Sequence, residues 1–222
     1  MEQMRITVDV VIFTIRVRAL HILLVRRGVP PFQGRYAIPG GFVRKDESLE
    51  EAAKRELYEE TGVRNVFLEQ LYSFGEPQRD PRGRVITVAY YALIASEQLD
   101  LLPGADAAEA HWLPANELPQ LAFDHRKIVD YALERLCSKL EYTTVGFQLL
   151  PEKFTLTQLQ EVYEAILGKR LDKRNFRRKV ALLHILKPLR EWRSTGRKPA
   201  QLFRFAAGRF EKLKDKGILF PF

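Results

Sequence analysis

The sequence predicts an α/β domain followed by a smaller, strongly basic domain of helices and one hairpin. Three observations predict it. Residues 6–114 alternate β-branched and aromatic runs with one sharply capped helix. Residues 155–183 carry two capped amphipathic helices, and residues 185–205 two β-rich runs around a basic turn. The charge divides in the same place. Residues 151–222 hold 18 Lys and Arg against 7 Asp and Glu, a balance of +11, whereas residues 1–150 hold 18 against 21, or −3. The two halves therefore face different partners, and the second suits a polyanion.

The bounds agree. A chain of 222 residues makes one large domain or two modest ones, and 46% apolar content is ordinary for a globular protein. No apolar run approaches the roughly 18 residues of a membrane helix. The start, MEQMRITVDVVIFTI, lacks the basic opening and cleavage site of a signal peptide and reads as a strand. A single cysteine, Cys137, excludes an intrachain disulfide and suits a reducing cytoplasm.

In order, Ile6 to Ile15 reads as a core strand, with Val8, Val10 and Ile12 alternating, and Leu20 to Val25 as a second. Arg26 and Arg27 at its end either reach phosphate or face water. Residues 30–34 are a loop, and Tyr36 to Ile38 leads into a Gly40-Gly41 turn. Then comes GFVRKDESLEEAAKRELYEETGV, residues 41–63. Ser48 and Glu51 form a capping box, so a helix starts near Leu49 and ends at Gly62. Leu49, Ala52, Ala53 and Leu57 supply its buried stripe. Glu56, Glu59 and Glu60 fall three and four residues apart and share a face, which weakens an isolated helix. A hard divalent cation, which wants several carboxylate oxygens, is one reason to keep them there; a solvated acidic face is the other.

Gly41, Glu47 and the run Arg55-Glu56-Leu57-Tyr58-Glu59-Glu60-Thr61-Gly62-Val63 resemble the complete Nudix box, with Ile38-Pro39-Gly40-Gly41 leading into it. The resemblance implies a Nudix sandwich, a mixed sheet between helices. It implies that Glu56, Glu60 and the Gly40 carbonyl hold Mg²⁺ or Mn²⁺, with Glu59 a further ligand or a base. Glu47 and Arg55 would brace the loop and helix, since Arg55 lies beside carboxylates it can hydrogen-bond. The substrate would be a nucleoside diphosphate linked to another moiety, cleaved at the pyrophosphate. Some relatives that cleave ADP-ribose take their base from a later loop. Glu109 and Asp106 are the candidates here, and ordinary loop acids are the alternative.

After the box, Val66 to Phe74 and Val85 to Ala95 read as strands around a turn-rich loop, residues 75–83. Arg79, Arg82 and Arg84, together with Gly41, are candidates for the substrate diphosphate, against a solvated hairpin loop. Trp112 to Pro114 is the last strand, and Glu117-Leu118 starts a short helix. Asp124 caps a helix from about His125 to Leu140. Residues 143–152 carry no helical period and read as the connection between a first domain, residues 1–142, and a second, residues 153–222.

In the second domain Thr155 or Thr157 caps a helix bearing Leu159, Val162, Tyr163 and Ile166, which Gly168 ends. Asp172 caps the next, with Phe176, Val180 and Leu183 inward and a basic outer face. Two strands then flank residues 194–199, and helix, turn, helix, hairpin is the order of a winged helix. Lys173, Arg174, Asn175, Arg177 and Arg178 would face DNA from the second helix, Arg174, Asn175 and Arg178 at base edges, with Arg193, Arg197 and Lys198 on the wing reaching phosphates.

The whole chain is similar to the bacterial NrtR-like Nudix-related transcriptional regulators of NAD metabolism. Phe123-Asp124-His125, the loop at residues 79–83, FTLTQLQEVYEAILG and LDKRNFRRK carry that likeness beyond the box. It implies ADP-ribose in the first domain and operator DNA held by a dimer. Three functions follow: hydrolysis of ADP-ribose to AMP and ribose 5-phosphate coupled to regulated DNA binding, repression with ADP-ribose only as effector, or hydrolysis of another nucleoside diphosphate derivative beside a domain that does not bind DNA.

Overall fold

The computed structural model describes residues 4–62, 64–99, 110–194 and 198–208. Two compact units emerge, one of residues 1–16 and 20–135, the other of residues 17–19 and 136–222, and the division falls within a helix. Asp106, Glu109 and Arg197 lie outside the described residues.

The first unit is built on β1 (Arg5–Arg16), whose residues 7–14 are buried on both faces. The sheet runs β3 (Tyr36–Ala37), β2 (Ala19–Arg26), β1, β6 (Val85–Leu93), β5 (Phe67–Phe74), with β4 (Gly40–Phe42) on β1 and β7 (Ala110–Pro114) on β2. It is mixed: β1 and β6 pair in parallel, while β4, β5 and β7 pair antiparallel with their neighbours. Side chains alternate along a strand. Val8, Val10 and Ile12 therefore meet Ala52, Ala53 and Leu57 of α1 (Leu49–Thr61) on one face. Asp9 on the other face approaches His125 at the start of α3 (His125–Leu140). Helices thus cover both faces, and the sheet between them is what a nearly continuous apolar strand requires.

One local expectation fails. Residues 115–120 turn without a helix, the Glu117 amide donating to the Pro114 carbonyl at 3.0 Å. Pro119 has no N–H and disfavours helical backbone at Leu118. Asp124 precedes α3 as expected, its carbonyl accepting from the Ile128 amide at 3.3 Å, while its carboxylate accepts from Arg79. A short helix not anticipated, α2 (Ser96–Leu99), follows β6.

In the second unit, residues 145–149 coil into a 3-10 turn with Val145, Phe147 and Leu149 buried, so part of the expected connection packs. Thr155 and Gln158 form a capping box for α4 (Leu156–Leu167), and Gly168 ends it in the left-handed conformation. Asp172 accepts from the Asn175 amide and caps α5 (Lys173–Leu182). Phe176 of α5 meets Tyr163 of α4 edge to face at 5.6 Å. β8 (Leu186–Arg193) and β9 (Ala200–Phe205) make the hairpin. Phe154 and Phe203 exchange backbone hydrogen bonds at 3.0 and 2.8 Å, tying the approach to α4 onto β9. The order is that of a winged helix. Among the described residues no helix is long and apolar enough to cross a membrane.

Candidate functional site

The phase of α1 decides which carboxylates are solvated. With Leu49 first in the helix and Gly62 closing it at φ 67°, Glu56 falls on the buried stripe beside Ala52, Ala53 and Leu57. It is 8% exposed; Glu60 is half-buried and Glu59 exposed. Loss of water raises the Glu56 carboxyl above its ordinary range, with the hydrogen bond from Arg55 opposing. Burial, then the charges of Glu56 and Glu59, raises Glu60 as well. Glu60 has no hydrogen bond or ion pair among the described residues.

The two glycines before the helix lie close to their neighbours. A Cβ on Gly41 would stand 2.1 Å from Glu56 Oε1, and one on Gly40 would stand 2.5 Å from Asp9 Oδ1 and from the Val8 carbonyl. Backbone atoms of Val8 and Asp9 fix glycine at position 40, whereas at position 41 a larger residue would have to push the Glu56 carboxylate aside.

Arg55 organises the charges. Its Nε and Nη2 reach the two Glu47 oxygens at 3.0 and 2.7 Å, its Nη1 reaches Glu56 at 2.5 Å and Glu59 at 3.3 Å, and its Nη2 also reaches the Phe42 carbonyl at 3.3 Å. Hydrogen bonds from Arg55, then from the Arg44 amide, pull the Glu47 carboxyl down to about 2. The geometry makes Glu47 and Arg55 a brace between loop and helix. Among the described residues no three His, Cys, Asp or Glu side chains form a ready-made metal cage. The donors nonetheless suit a divalent cation: hard oxygens, two of them desolvated, beside a turn backbone held close by glycine.

The arginines expected at the substrate separate. Arg79 is buried: Nε and Nη2 meet Asp124 at 3.0 and 2.7 Å, and Nη2 meets Asp9 at 3.4 Å. Through Nε and Nη2 it ties β1, the loop and α3 together, and Nη1 makes no hydrogen bond among the described residues. His125 joins this network. Its Nδ1 accepts from the Ile38 amide at 3.1 Å and its Nε2 lies 3.7 Å from Asp9 Oδ1. Arg84 donates to the Gly75 carbonyl and serves the loop. Arg82 pairs with Asp80 at 2.7 Å and is exposed beside two aromatic rings.

Those rings are the part that sequence reading missed. The Arg82 guanidinium lies 5.3 Å from the centres of both Phe42 and Phe123, Arg5 lies 4.9 Å from Phe42, and Arg27 lies 4.7 Å from Phe123. Phe32 meets Phe123 edge to face at 4.9 Å. Phe32 and Phe123 both sit in the left-handed region, at φ 61° and 51°, a costly conformation for an aromatic residue. Thr7, the register partner of Phe42, has a buried hydroxyl without a hydrogen-bond partner among the described residues. Arginines and aromatic faces around an orphaned hydroxyl suit a phosphorylated, ring-bearing ligand. The Phe123-Asp124-His125 run was a local signal for the place; which rings converge there was not.

In the second unit Lys173, Arg174, Arg177 and Arg178 are exposed along α5, and Asn175 is half-exposed. Arg178 donates to Asn175 Oδ1 at 2.9 Å, and Arg177 to Thr157 Oγ1 at 3.4 Å. Lys198 is exposed and Arg193 half-exposed on the hairpin.

Residues 4–132 match the NUDIX domain family, and residues 146–205 the NrtR DNA-binding winged helix domain. The chain is 38% identical to the ADPR responsive transcriptional repressor NtrR of Acinetobacter baylyi, over 97% of this chain and 85% of that protein. It is 45% identical to an ADP-ribose pyrophosphatase of Methanocaldococcus jannaschii over 50% of this chain and 64% of that one. The fold is similar to Shewanella oneidensis NrtR crystallised with a 27mer DNA, at a TM-score of 0.82 and 37% identity, covering 93% of this chain and 95% of that one. A Nudix domain with its acidic helix intact, followed by a winged helix of the NrtR type, places this chain in the family of NrtR-like Nudix regulators.

Proposed function

We propose that the protein hydrolyses ADP-ribose to AMP and ribose 5-phosphate and uses the same ligand to control its hold on operator DNA. The observation that carries the catalytic half is the pair Glu56 and Glu60. Both are short of water, Glu60 has no protein partner among the described residues, and both belong to a complete Nudix box. Mg²⁺ or Mn²⁺ would be held by Glu56, Glu60 and the Gly40 carbonyl. When bound, such a cation supplies Lewis acidity and neutralises diphosphate charge.

The chain's own residues do the rest. Arg82 and Arg27 offer guanidiniums to the diphosphate, and the rings of Phe42 and Phe123 offer faces to the adenine or ribose. Arg55 and Glu47 fix the helix against the glycine turn, so the carboxylates keep one geometry. Water adds across the bridging P–O bond, and its proton passes to a carboxylate; Glu59 is the exposed candidate on α1.

Product analysis with ADP-ribose and Mg²⁺ tests this. AMP should appear in catalytic excess over protein, and Glu60→Gln should lower kcat by roughly a thousandfold or more with the fold intact. Full turnover in that variant refutes the metal assignment. One observation favours a second reading, in which ADP-ribose is only an effector: Arg55 already neutralises Glu56 through Nη1. ADP-ribose that binds without yielding AMP would establish it. In either reading the ligand shifts DNA affinity only if it binds the DNA-free and DNA-bound states differently. The regulator acts as a homodimer, the arrangement that suits two-fold operators.

A further inference from the structure

The hairpin of the second unit carries an exposed tryptophan that DNA binding by charge alone does not require. Trp192 lies on β8, and its side chain is 61% exposed. Its position is built, not incidental. Pro188 faces Phe203 while Trp192 faces Gln201, so residues 189–191 bulge opposite the single Leu202. The Gln201 side chain donates from Nε2 to the Leu189 carbonyl at 3.1 Å and holds the bulge. Bulges re-aim side chains.

Trp192 is thereby set in an open groove whose walls are Lys173 and Arg177 of α5, Thr157 of α4, and Arg193 and Lys198 of the hairpin. The acidic side chain of that groove, Glu161, is paired with Arg18 at 2.9 Å. Arg177 is steadied by Thr157, which points its charge along one wall. Cations from α5 and from the hairpin beside an apolar plate suit a nucleic-acid strand, where phosphates alternate with sugars.

We propose that this groove seats one sugar–phosphate strand of the DNA duplex, with the Trp192 indole packed on deoxyribose between phosphates held by α5 and by the hairpin. This rests on the DNA-binding reading above and adds to it a contact that is neither a phosphate bond nor a base-edge bond. Such a contact strengthens binding without releasing counterions, so it has its own signature in salt.

Trp112 and Trp192 are the two tryptophans of the chain, so in Trp112→Phe all indole emission comes from Trp192. That variant is titrated with a duplex selected on the protein from a randomised pool, following emission and the anisotropy of labelled DNA together. Emission should shift and saturate with the anisotropy. Trp192→Ala should raise Kd about tenfold with the salt slope unchanged, whereas Arg177→Ala should lower the slope by about one. Trp192→Phe should recover most of the affinity, which separates a lost plate from a misfolded hairpin. DNA that binds while the emission stays still, or a Trp192→Ala protein of unchanged affinity, overturns the proposal alone. Emission that shifts with protein concentration in the absence of DNA overturns it in favour of a protein partner. No binding to any duplex overturns the DNA-binding reading and the proposal with it.

Discussion

His125 shows how one residue ties the site to the fold. It is buried between Asp9 and the Ile38 amide, two residues before Gly40. Burial, opposed in part by the charges of Asp9 and Asp124, holds its pKa below 6.5. The sign follows from proton counting. The unfolded chain takes up this proton near 6.5, and the folded chain does so only at lower pH. Stability is therefore lost as pH falls through 6.5, by up to about 1.4 kcal/mol per pH unit for this one group. Denaturant unfolding above and below that pH should show the slope, and His125→Asn should flatten it. Gly41 makes a steric claim at the same scale. An alanine there meets Glu56 Oε1 and must displace it. Gly41→Ala should cost about 1–3 kcal/mol of stability and weaken the rise in Tm caused by Mn²⁺ more than it shifts the ADP-ribose Kd. An unchanged response to Mn²⁺ would detach Gly41 from the cation site.

At the scale of elements, α1 and α5 solve opposite problems. α1 concentrates like charge, so Arg55 must gather Glu47, Glu56 and Glu59 before the helix is stable against the sheet. α5 concentrates positive charge outward and is held by little apolar surface, chiefly Phe176 and Val180. Phe176 packs on Tyr163, itself buried, with burial pushing the Tyr163 hydroxyl pKa up. Phe176→Ala should therefore cost about 3–5 kcal/mol and release α5 from α4. DNA binding should be lost while ADP-ribose binding is kept, which calorimetry with each ligand can read. A variant that loses both would mean the two units do not fold independently.

For the whole molecule the governing quantity is the division of charge, +11 in residues 151–222 against −3 in residues 1–150. DNA affinity should fall steeply with salt, and charge reversal at Arg174 and Arg178 should abolish it. Adding ADP-ribose should raise the DNA Kd by roughly 5–150-fold, the usual range of coupling between sites, and DNA should weaken ADP-ribose by the same factor. Reciprocal titrations measure both, and unequal factors would point to a third linked equilibrium such as dimerisation.

Much of this was legible from residue order. Capping boxes at Ser48 and Thr155, the αL glycines Gly62 and Gly168, and the apolar period of β1 are local signals, and each appears where local chemistry puts it. The acidic helix and its preceding glycines were readable for the same reason, since turn, cap and carboxylates lie within one short stretch of chain. Tertiary structure alone decided the partners. Arg79 and Asp9 are 70 residues apart, and Asp124 lies a further 45 beyond Arg79, so no spacing rule could show that Arg79 bridges these two carboxylates. Phe32 and Phe42 looked like ordinary apolar residues until the fold set them with Phe123 around Arg27 and Arg82. Sequence determines what each segment becomes because helix and strand answer to neighbours a few residues away. Charge pairing and ring stacking depend on distances in space, and only the folded chain assigns those.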